Sequence, residues 1–239
     1  MILNDIAGWL REARHVVVLT GAGISTESGI PDFRGPQGVW TKNPEAEKTA
    51  TLQFYVSDPA VRERAWRNRL ESGMWEAQPN AGHRALVDLE GRLGTAFDTL
   101  ITQNVDGLHH AAGNDPRRII EIHGNVREVK CLTCRWRAPM QVALDRVRAG
   151  EHDPDCPECG GILKSATISF GENLVEADIE RAHAVVRTLP FAATASPRFE
   201  GRLEDADQWT FSVRGRMPLL KFALDDAAGT RIYVTEQTG

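Results

Sequence analysis

The feature that most constrains the fold is a short apolar run that ends abruptly in a glycine-rich turn. Residues 16–19 are apolar and mostly β-branched, a pattern typical of a parallel strand covered on both faces. Gly21 and Gly23 follow, where a backbone turns tightly and comes close to a ligand. Residues 24–28 can then open a helix whose free N–H groups face the turn. This order predicts an α/β fold with a site suited to a pyrophosphate.

As a general nucleotide-binding motif, however, the turn is incomplete. The dinucleotide pattern G-x-G-x-x-G has Thr26 at its last position. No convincing acidic residue stands about 20 positions downstream, where that pattern places one. Considered alone, the two glycines therefore suit a purely structural turn about equally well.

The continuation of the turn favours a functional site. Residues 21–35 read Gly-Ala-Gly-Ile-Ser-Thr-Glu-Ser-Gly-Ile-Pro-Asp-Phe-Arg-Gly. This loop resembles the signature of the sirtuins, the NAD-dependent protein deacylases, at nearly every position. The resemblance implies that the NAD phosphates lie against Gly21, Ala22 and Gly23. It also implies that the loop closing over the nicotinamide and its ribose contains Asp32, Phe33 and Arg34.

A second motif follows the strand predicted at residues 97–102. Residues 102–109 read Thr-Gln-Asn-Val-Asp-Gly-Leu-His, which is again similar to a sirtuin signature. Open α/β sheets bind ligands in loops at the carboxyl ends of their strands. By the resemblance, Gln103 lies near the NAD ribose, and Asn104 and Asp106 serve the nicotinamide pocket. Standing alone, the stretch would also suit a simple turn made by Asn and Asp.

A third motif ends the short strand predicted to begin at Ile119. The sequence His123-Gly-Asn resembles the sirtuin catalytic motif, and histidine is the natural general base near neutral pH. The resemblance implies that His123 takes a proton, directly or through the ribose hydroxyls, once the acyl oxygen has attacked NAD. We therefore predict that the catalytic residues are His123, Asn104 and Asp106. A lone histidine after a strand is otherwise more often structural.

All four cysteines of the chain fall into two C-x-x-C pairs, which are Cys131 with Cys134 and Cys156 with Cys159. In a cytosolic protein this spacing indicates tetrahedral zinc rather than disulfides. Four thiolates leave no open position on the metal, so we expect one structural zinc ion. A zinc ribbon standing alone can bind nucleic acid or protein. Because this one is inserted in a nucleotide-binding fold, we expect it to hold a small lobe together.

The segment after the cysteines indicates the substrate. Residues 162–172 resemble the sirtuin segment that returns from the small lobe to the large one. In sirtuins, the backbone around Phe-Gly-Glu pairs with the substrate peptide by strand addition. This implies an acyl-lysine protein or peptide as partner, bound mainly through the backbone of Phe170, Gly171 and Glu172.

The resemblance covers about residues 1–186 and implies a Rossmann-like parallel sheet with an inserted zinc-ribbon lobe. We predict an NAD-binding lobe at residues 1–126 and 165–188, and a zinc-binding small lobe at residues 127–164. The net charge of −5 gives no sign of nucleic-acid binding. No apolar run approaches the roughly 20 residues of a membrane span, and no signal peptide is apparent. We therefore expect a cytoplasmic protein with neither nucleic acid nor membrane as a partner.

The last part of the chain departs from the family. A sirtuin should next supply a strand ending in Gly-Thr/Ser-Ser and another ending near Asn, which complete the NAD site, and neither motif is present. Residues 189–239 instead predict a divergent antiparallel β tail. Its first part, residues 189–198, reads as a linker, and strands are predicted at residues 208–214, 219–224 and 231–235. Such a tail has three explanations: a gene fusion or rearrangement, which we favour, a frameshift, or a divergent completion of the fold.

Three functions follow from these motifs. The first is an NAD-dependent protein lysine deacylase that transfers the acyl group to ADP-ribose and releases nicotinamide. The second is a truncated, non-catalytic module that keeps the peptide groove and the zinc lobe, and the two absent NAD loops favour it. The third is an NAD hydrolase or ADP-ribosyltransferase that uses the same site. The intact set of His123, Asn104, Asp106 and Asp32 favours the enzyme over the module.

Overall fold

The computed structural model describes residues 7–8, 10–33, 35, 38–43, 46–188, 197–203, 219–224 and 231–235. The chain divides into two compact units, Met1–His183 and Ala184–Gly239. We describe each unit by itself. Among the described residues, no helix has the length and apolar character needed to cross a membrane.

The first unit is built on a parallel sheet whose strands have the order β1–β2–β3. These strands are β1 (Val16–Thr20), β2 (Phe97–Thr102) and β3 (Ile119–Glu121). The register pairs Thr20 with Thr102 and Thr102 with Glu121. The three carboxyl ends therefore lie side by side, and the loops that follow them meet at one edge of the sheet. This Rossmann-like arrangement confirms the predicted fold class.

The first strand is less covered than its sequence predicts. The apolar run was expected to be buried on both faces, but Leu19 is 66% exposed and residues 16–18 are only half buried. This expectation is wrong for β1. In β2, by contrast, Phe97 and Leu100 are almost fully buried. The difference follows from position, because β2 lies between two strands, whereas β1 pairs only with β2 among the described residues.

Helices occupy most of the chain between β1 and β2, after helical residues at 7–8 and 10–12. The α-helices there are α1 (Val39–Lys42), α2 (Ala46–Thr49), α3 (Leu52–Ser57), α4 (Pro59–Leu70) and α5 (Ala81–Leu93), and the 3₁₀ helices are Ala22–Ser28, Gly73–Trp75 and Gly94–Ala96. Side chains cap the first turns of the two long helices. The Asp58 carboxylate accepts the Ala60 N–H at the start of α4, and the Asn80 side chain caps α5.

A second, antiparallel sheet follows β3, with the order β5–β4–β6. Its strands are β4 (Gly124–Cys131), β5 (Arg137–Pro139) and β6 (Leu163–Thr167), and the later helices of the chain are α6 (Leu108–Ala112), α7 (Met140–Arg148) and α8 (Glu176–Thr188). The small sheet packs on α4 and α7 through a buried core formed by Trp66, Val129, Met140, Leu144 and Leu163. The cysteines Cys131 and Cys156 belong to the same cluster.

The second unit contains an antiparallel sheet of β7 (Pro197–Leu203), β8 (Leu219–Leu224) and β9 (Arg231–Thr235), in that order. Strands β8 and β9 are the ones predicted, and the predicted strand at residues 208–214 lies outside the described residues. Strand β7 corrects the linker predicted at residues 189–198, because part of that stretch pairs with β8. Pro197 is compatible with this pairing, since proline is tolerated at the first residue of an edge strand.

Candidate active site

Backbone contacts join the loops that follow β1 and β2 at the carboxyl edge of the parallel sheet. The Gln103 backbone N–H donates to the Thr20 carbonyl at 3.0 Å. The Asn104 side-chain amide donates to the Gly21 carbonyl at 3.1 Å. The glycine turn and the second motif, 83 positions apart at this contact, therefore form one surface.

The glycine turn continues as a 3₁₀ helix, Ala22–Ser28, which begins two residues before the helix predicted at residues 24–28. Gly21 is extended, and the helix ends at Gly29, whose φ of 83° lies in the left-handed region that favours glycine. A Cβ atom added to Gly23 would meet no atom within 4 Å. The backbone at Gly23 is thus open to a ligand group, as a phosphate-binding turn requires.

Ser25 ties the two predicted nicotinamide-pocket residues together. Its side chain is buried, and its Oγ donates to Asp106 Oδ2 at 2.7 Å and accepts from Asn104 Nδ2 at 3.1 Å. The second carboxylate oxygen of Asp106 accepts the Leu108 N–H at 2.8 Å. Asn104 and Asp106 are themselves only 7% and 4% exposed, so their side chains are fixed by the protein. Sequence reasoning missed Ser25, although it lies inside the first motif.

His123 is oriented by the backbone of the second motif. Its Nδ1 lies 3.0 Å from the Gln103 carbonyl oxygen. A carbonyl oxygen only accepts hydrogen bonds, so Nδ1 is the protonated donor, and the neutral ring keeps its lone pair at Nε2. In the described part of the chain, no side chain bonds to that Nε2. The arrangement has the form expected of a general base.

The start of β4 is fastened to the loop that carries Asp106. The Val126 N–H donates to the Val105 carbonyl at 2.9 Å, and Arg127 Nε donates to the Asp106 carbonyl at 3.2 Å. Asn125 Nδ2 donates to both carboxylate oxygens of Glu121, at 2.8 and 2.9 Å. Burial raises the pKa of Glu121, while the bond from Asn125 opposes that rise. These hydrogen bonds hold in place the end of β3 and the start of β4, which lie on either side of His123 in the chain.

Two buried histidines lie beneath the loops. His109 Nε2 lies 2.9 Å from Thr20 Oγ1, which in turn lies 2.8 Å from Thr102 Oγ1. The ring of His83 lies 4.9 Å from the ring of His109, centroid to centroid. Burial lowers the pKa of His109 to about 4 and also lowers the pKa of His83, so both rings are neutral near pH 7. The sequence motifs gave no role to either histidine.

The loop predicted to close over the nicotinamide is described only in part. Asp32 Oδ1 accepts the Gly35 N–H at 2.9 Å in a local turn, and Phe33 is 42% exposed. Arg34 lies outside the described residues. Among those that are described, the Asp32 side chain makes no hydrogen bond to the glycine turn or to the second motif. The Asp32 side chain is therefore held within its own turn.

The predicted peptide-binding segment lies against the residues that precede α3. The Phe170 N–H donates to the Ala50 carbonyl at 2.8 Å, and the Leu52 N–H donates to the Phe170 carbonyl at 2.9 Å. Gly171 has a φ of 81° and is exposed. The Glu172 side chain points to two lysines of the small sheet. The Phe170 backbone is therefore already paired along one edge.

The four cysteines form a single cluster. The Sγ atoms of Cys131 and Cys159 lie 3.6 Å apart, as do those of Cys134 and Cys156, and all four lie within 4.8 Å of one another. Sulfur atoms about 2.3 Å from a tetrahedral zinc ion stand about 3.8 Å apart, so the cluster fits zinc. The same distances are too long for a disulfide. The cluster confirms the predicted structural zinc site.

The family follows from a comparison with known proteins. The sequence model of the Sir2 family matches residues 21–190. The chain belongs to the Sir2 family. The match spans the glycine turn, the second motif, His123 and all four cysteines, which confirms the resemblance seen in the sequence. It ends at residue 190, close to where the predicted β tail begins.

Individual Sir2 family members resemble about seven tenths of the chain. The NAD-dependent protein deacetylase 2 of Streptomyces coelicolor is 50% identical over 170 residues, which are 71% of this chain and 70% of that protein. The NAD-dependent protein deacetylase of Caldivirga maquilingensis is 42% identical over 178 residues, 70% of this chain but 62% of that protein. A solved Sir2 variant with a deacetylated p53 peptide and 3'-O-acetyl ADP ribose has a TM-score of 0.69 at 34% identity, covering 78% of this chain and 72% of that one.

Proposed function

We propose that this chain is an NAD-dependent protein lysine deacylase, which transfers an acyl group from lysine to ADP-ribose and releases nicotinamide. The observation that carries the proposal is the position of His123, whose Nδ1 donates to the Gln103 carbonyl at the edge where the strand-end loops meet. The name of the Streptomyces coelicolor relative supports this activity. So does the Sir2 structure with a deacetylated peptide and 3'-O-acetyl ADP ribose, which are what such a transfer would leave.

The residues of the first two motifs are assigned to the cofactor. Bound NAD supplies a ribose carbon that becomes electrophilic as nicotinamide departs. We assign its phosphates to Gly21, Ala22 and Gly23, where the backbone at Gly23 is open. We assign its ribose to Gln103 and its nicotinamide to the pocket that Asn104 and Asp106 form with Ser25. Asp32, Phe33 and Arg34 are assigned to the closing loop on the strength of the family motif.

His123 is assigned the proton transfer. Its Nδ1 keeps a proton because it donates to the Gln103 carbonyl, so Nε2 is the atom that accepts one. The Gln103 N–H donates to the Thr20 carbonyl, which anchors to β1 the residue whose carbonyl accepts from His123. The zinc ion takes no part in this transfer, because four thiolates leave it no open coordination position.

The acyl-lysine peptide is assigned to the segment around Phe170, Gly171 and Glu172. One edge of Phe170 already pairs with Ala50 and Leu52. We assign the pairing with an added strand to the exposed backbone at Gly171. We further propose that residues 1–126 and 165–188 form the NAD-binding lobe and residues 127–164 the zinc lobe. We place the protein in the cytoplasm, where cysteines stay reduced.

A second candidate function is a peptide-binding module that holds NAD poorly. The exposed face of β1 favours it, because Leu19 is 66% exposed where a strand covered on both faces would be buried. The two late sirtuin motifs, Gly-Thr/Ser-Ser and the strand ending near Asn, are also absent from the sequence. An NAD hydrolase or ADP-ribosyltransferase would use the same residues and differ only in its products.

Product analysis separates these functions. The zinc-loaded full chain is incubated with NAD and an acetyl-lysine peptide, and the products are measured by mass spectrometry. The proposal predicts deacetylated peptide, nicotinamide and acetylated ADP-ribose in equal amounts, all lost in His123→Ala and retained in the exposed-site control His152→Ala. Nicotinamide with free ADP-ribose and intact peptide would establish a hydrolase instead. Peptide binding without NAD consumption would establish the module.

A further inference from the structure

We propose that Glu172, Lys130 and Lys164 are positioning residues that tether the peptide-binding segment to the small antiparallel sheet. The inference rests on the proposed function, because it concerns how the same peptide site is held. The carboxylate of Glu172 does not face the peptide in this account. It acts on the peptide through the backbone of Gly171.

One carboxylate connects two neighbouring strands. Glu172 Oε1 lies 2.5 Å from Lys130 Nζ on β4, and Glu172 Oε2 lies 3.0 Å from Lys164 Nζ on β6. Lys130 and Lys164 are direct register partners in the β4–β6 pair. The carboxylate therefore sits across the pair, and its position is fixed by the register of the sheet.

These contacts are shielded from water. The side chain of Lys164 is 3% exposed, that of Glu172 is 15% exposed and that of Lys130 is 22% exposed. Exposed ion pairs contribute little, but breaking a buried pair by removing one partner leaves an uncompensated charge. The buried ion pairs therefore restrain the position of the peptide-binding segment.

The same carboxylate also closes the turn that carries the peptide-binding backbone. Glu172 Oε2 accepts the Ser169 N–H at 3.1 Å, and the Glu172 N–H donates to the Ser169 carbonyl at 2.9 Å. Residues 169–172 thereby form a closed turn with Gly171 inside it. Phe170 in that turn is held from the other side by Ala50 and Leu52. Removing the carboxylate leaves the turn attached along one edge only.

The cations around Glu172 outnumber its single carboxylate, so the members of the tether are not equally sensitive to substitution. Two ammonium groups share one carboxylate, and the nearby Arg69 guanidinium adds a third cation, with its Nη2 donating to Ser165 Oγ at 3.1 Å. Neutralising Glu172 leaves two lysines facing each other without a counter-ion. Neutralising Lys130 leaves the Glu172–Lys164 pair intact. We therefore expect Glu172→Gln to be more damaging than Lys130→Met, and Glu172→Gln with Lys164→Met to recover part of the loss.

The test separates peptide affinity from turnover and from NAD binding. In Glu172→Gln the KM for the acetyl-lysine peptide rises by about tenfold or more, the size expected when a charge-assisted hydrogen bond is lost. The kcat and the NAD dissociation constant stay within about twofold, since the strand-end loops are untouched. Lys164→Arg, which keeps the cation, retains most of the peptide affinity. Glu176→Gln, an exposed carboxylate in the same stretch, leaves the KM unchanged.

Hydrogen exchange provides a readout that does not depend on catalysis. The amides of residues 169–172 exchange faster in Glu172→Gln than in the wild type, while those of β2 do not. If Glu172→Gln changed neither the exchange of these amides nor the KM for the peptide, the proposed tether would be overturned, even in an active enzyme. A wild type that never turns over would contradict the proposed function, yet the exchange experiment would still decide the tether. If Glu172→Gln fails to fold, the double variant and Lys130→Met carry the same comparison.

Discussion

His123 Nδ1 donates a hydrogen bond to the backbone carbonyl of Gln103 at 3.0 Å. This contact fixes which ring nitrogen accepts a proton, because a carbonyl oxygen cannot donate one. His123, which carries the acceptor Nε2, lies between β3 and β4, and Gln103 belongs to the loop that follows β2. The proposed base is therefore oriented by the neighbouring strand and not by its own.

Replacing His123 by alanine separates catalysis from binding. We expect deacylation by His123→Ala to fall by about 10²-fold or more, the contribution typical of general-base catalysis. The NAD dissociation constant changes little, because the phosphate turn and the Ser25 network are intact. Steady-state kinetics and calorimetry on the same preparations measure both quantities. Wild-type deacylation rates in His123→Ala would contradict the assignment of the base.

Ser25→Ala tests the network that fixes Asn104 and Asp106. The substitution removes a buried hydroxyl that donates to one side chain and accepts from the other. We expect a loss of about 1–3 kcal/mol in the free energy of unfolding, since buried polar atoms lose a partner, together with weaker NAD binding. Ser57→Ala, an exposed hydroxyl that bonds only to the Gln53 carbonyl, is the matched control. Equal effects of the two substitutions would argue against the network.

The buried His109 makes stability depend on pH. Its folded-state pKa is about 4, well below its ordinary value of 6.5, because burial disfavours the charged ring. His83 and His110 oppose its protonation, and Asp106 favours it. Between these two pH values the unfolded chain binds the extra proton. The stability is therefore fully present above pH 6.5 and declines as the pH falls towards 4.

Urea unfolding at several pH values measures this decline. For one proton, the slope approaches about 1.4 kcal/mol per pH unit. We expect His109→Gln to have a shallower slope between pH 6.5 and 4 than the wild type, whatever its stability at pH 7. The exposed-site variant His152→Gln keeps the wild-type slope. A slope in His109→Gln as steep as that of the wild type would show that His109 is not the group responsible.

Zinc removal tests the cysteine cluster. We expect one zinc ion per chain by elemental analysis, and none in Cys156→Ser. Because Cys131 and Cys156 share a buried core with Val129 and Met140, loss of the metal also loosens the small sheet. A chelator should therefore lower the melting temperature of the wild type and leave that of Cys156→Ser unchanged. A metal-free wild type with full stability would contradict a structural zinc site.

Leu19 and Leu100 provide a matched pair for the sheet. Leu19 on β1 is 66% exposed, whereas Leu100 on β2 is fully buried. We expect Leu19→Ala to cost less than about 1 kcal/mol in the free energy of unfolding, and Leu100→Ala about 2–5 kcal/mol. Denaturant unfolding of the two variants gives both values. A large cost at Leu19 would mean that this face of β1 is covered in solution.

The sequence predicts best where the pattern is local. Strand β2 has the predicted bounds, because a short stretch rich in aromatic, aliphatic and β-branched residues can be recognised without knowledge of its neighbours. The cysteine cluster follows from spacing alone. By contrast, the burial of β1 depends on what lies beside it, so its exposed Leu19 was not predictable from an apolar run.

The contacts between residues of the site could not be predicted from the sequence motifs. Ser25, Asn104 and Asp106 meet because Thr20 and Thr102 are register partners, a fact of strand pairing that no short motif states. His109 lies in the second motif, yet its contact with Thr20 spans 89 positions. The motifs also did not predict the proposed role of Glu172, because Lys130 and Lys164 become neighbours only through the β4–β6 register. Motifs identified the segments, whereas the register determined the contacts.

The most direct test of the account is a calorimetric titration of the zinc-loaded full chain with NAD. The proposed function requires that the strand-end loops around Gly21, Gln103 and Asp106 bind the cofactor although the two late sirtuin motifs are absent. It predicts saturable binding in the wild type and in His123→Ala, at NAD concentrations no higher than roughly 1 mM, the upper range of ordinary enzyme KM values, and weaker binding in Ser25→Ala. No heat of binding at such concentrations from a folded, zinc-loaded protein would contradict it and favour the peptide-binding module.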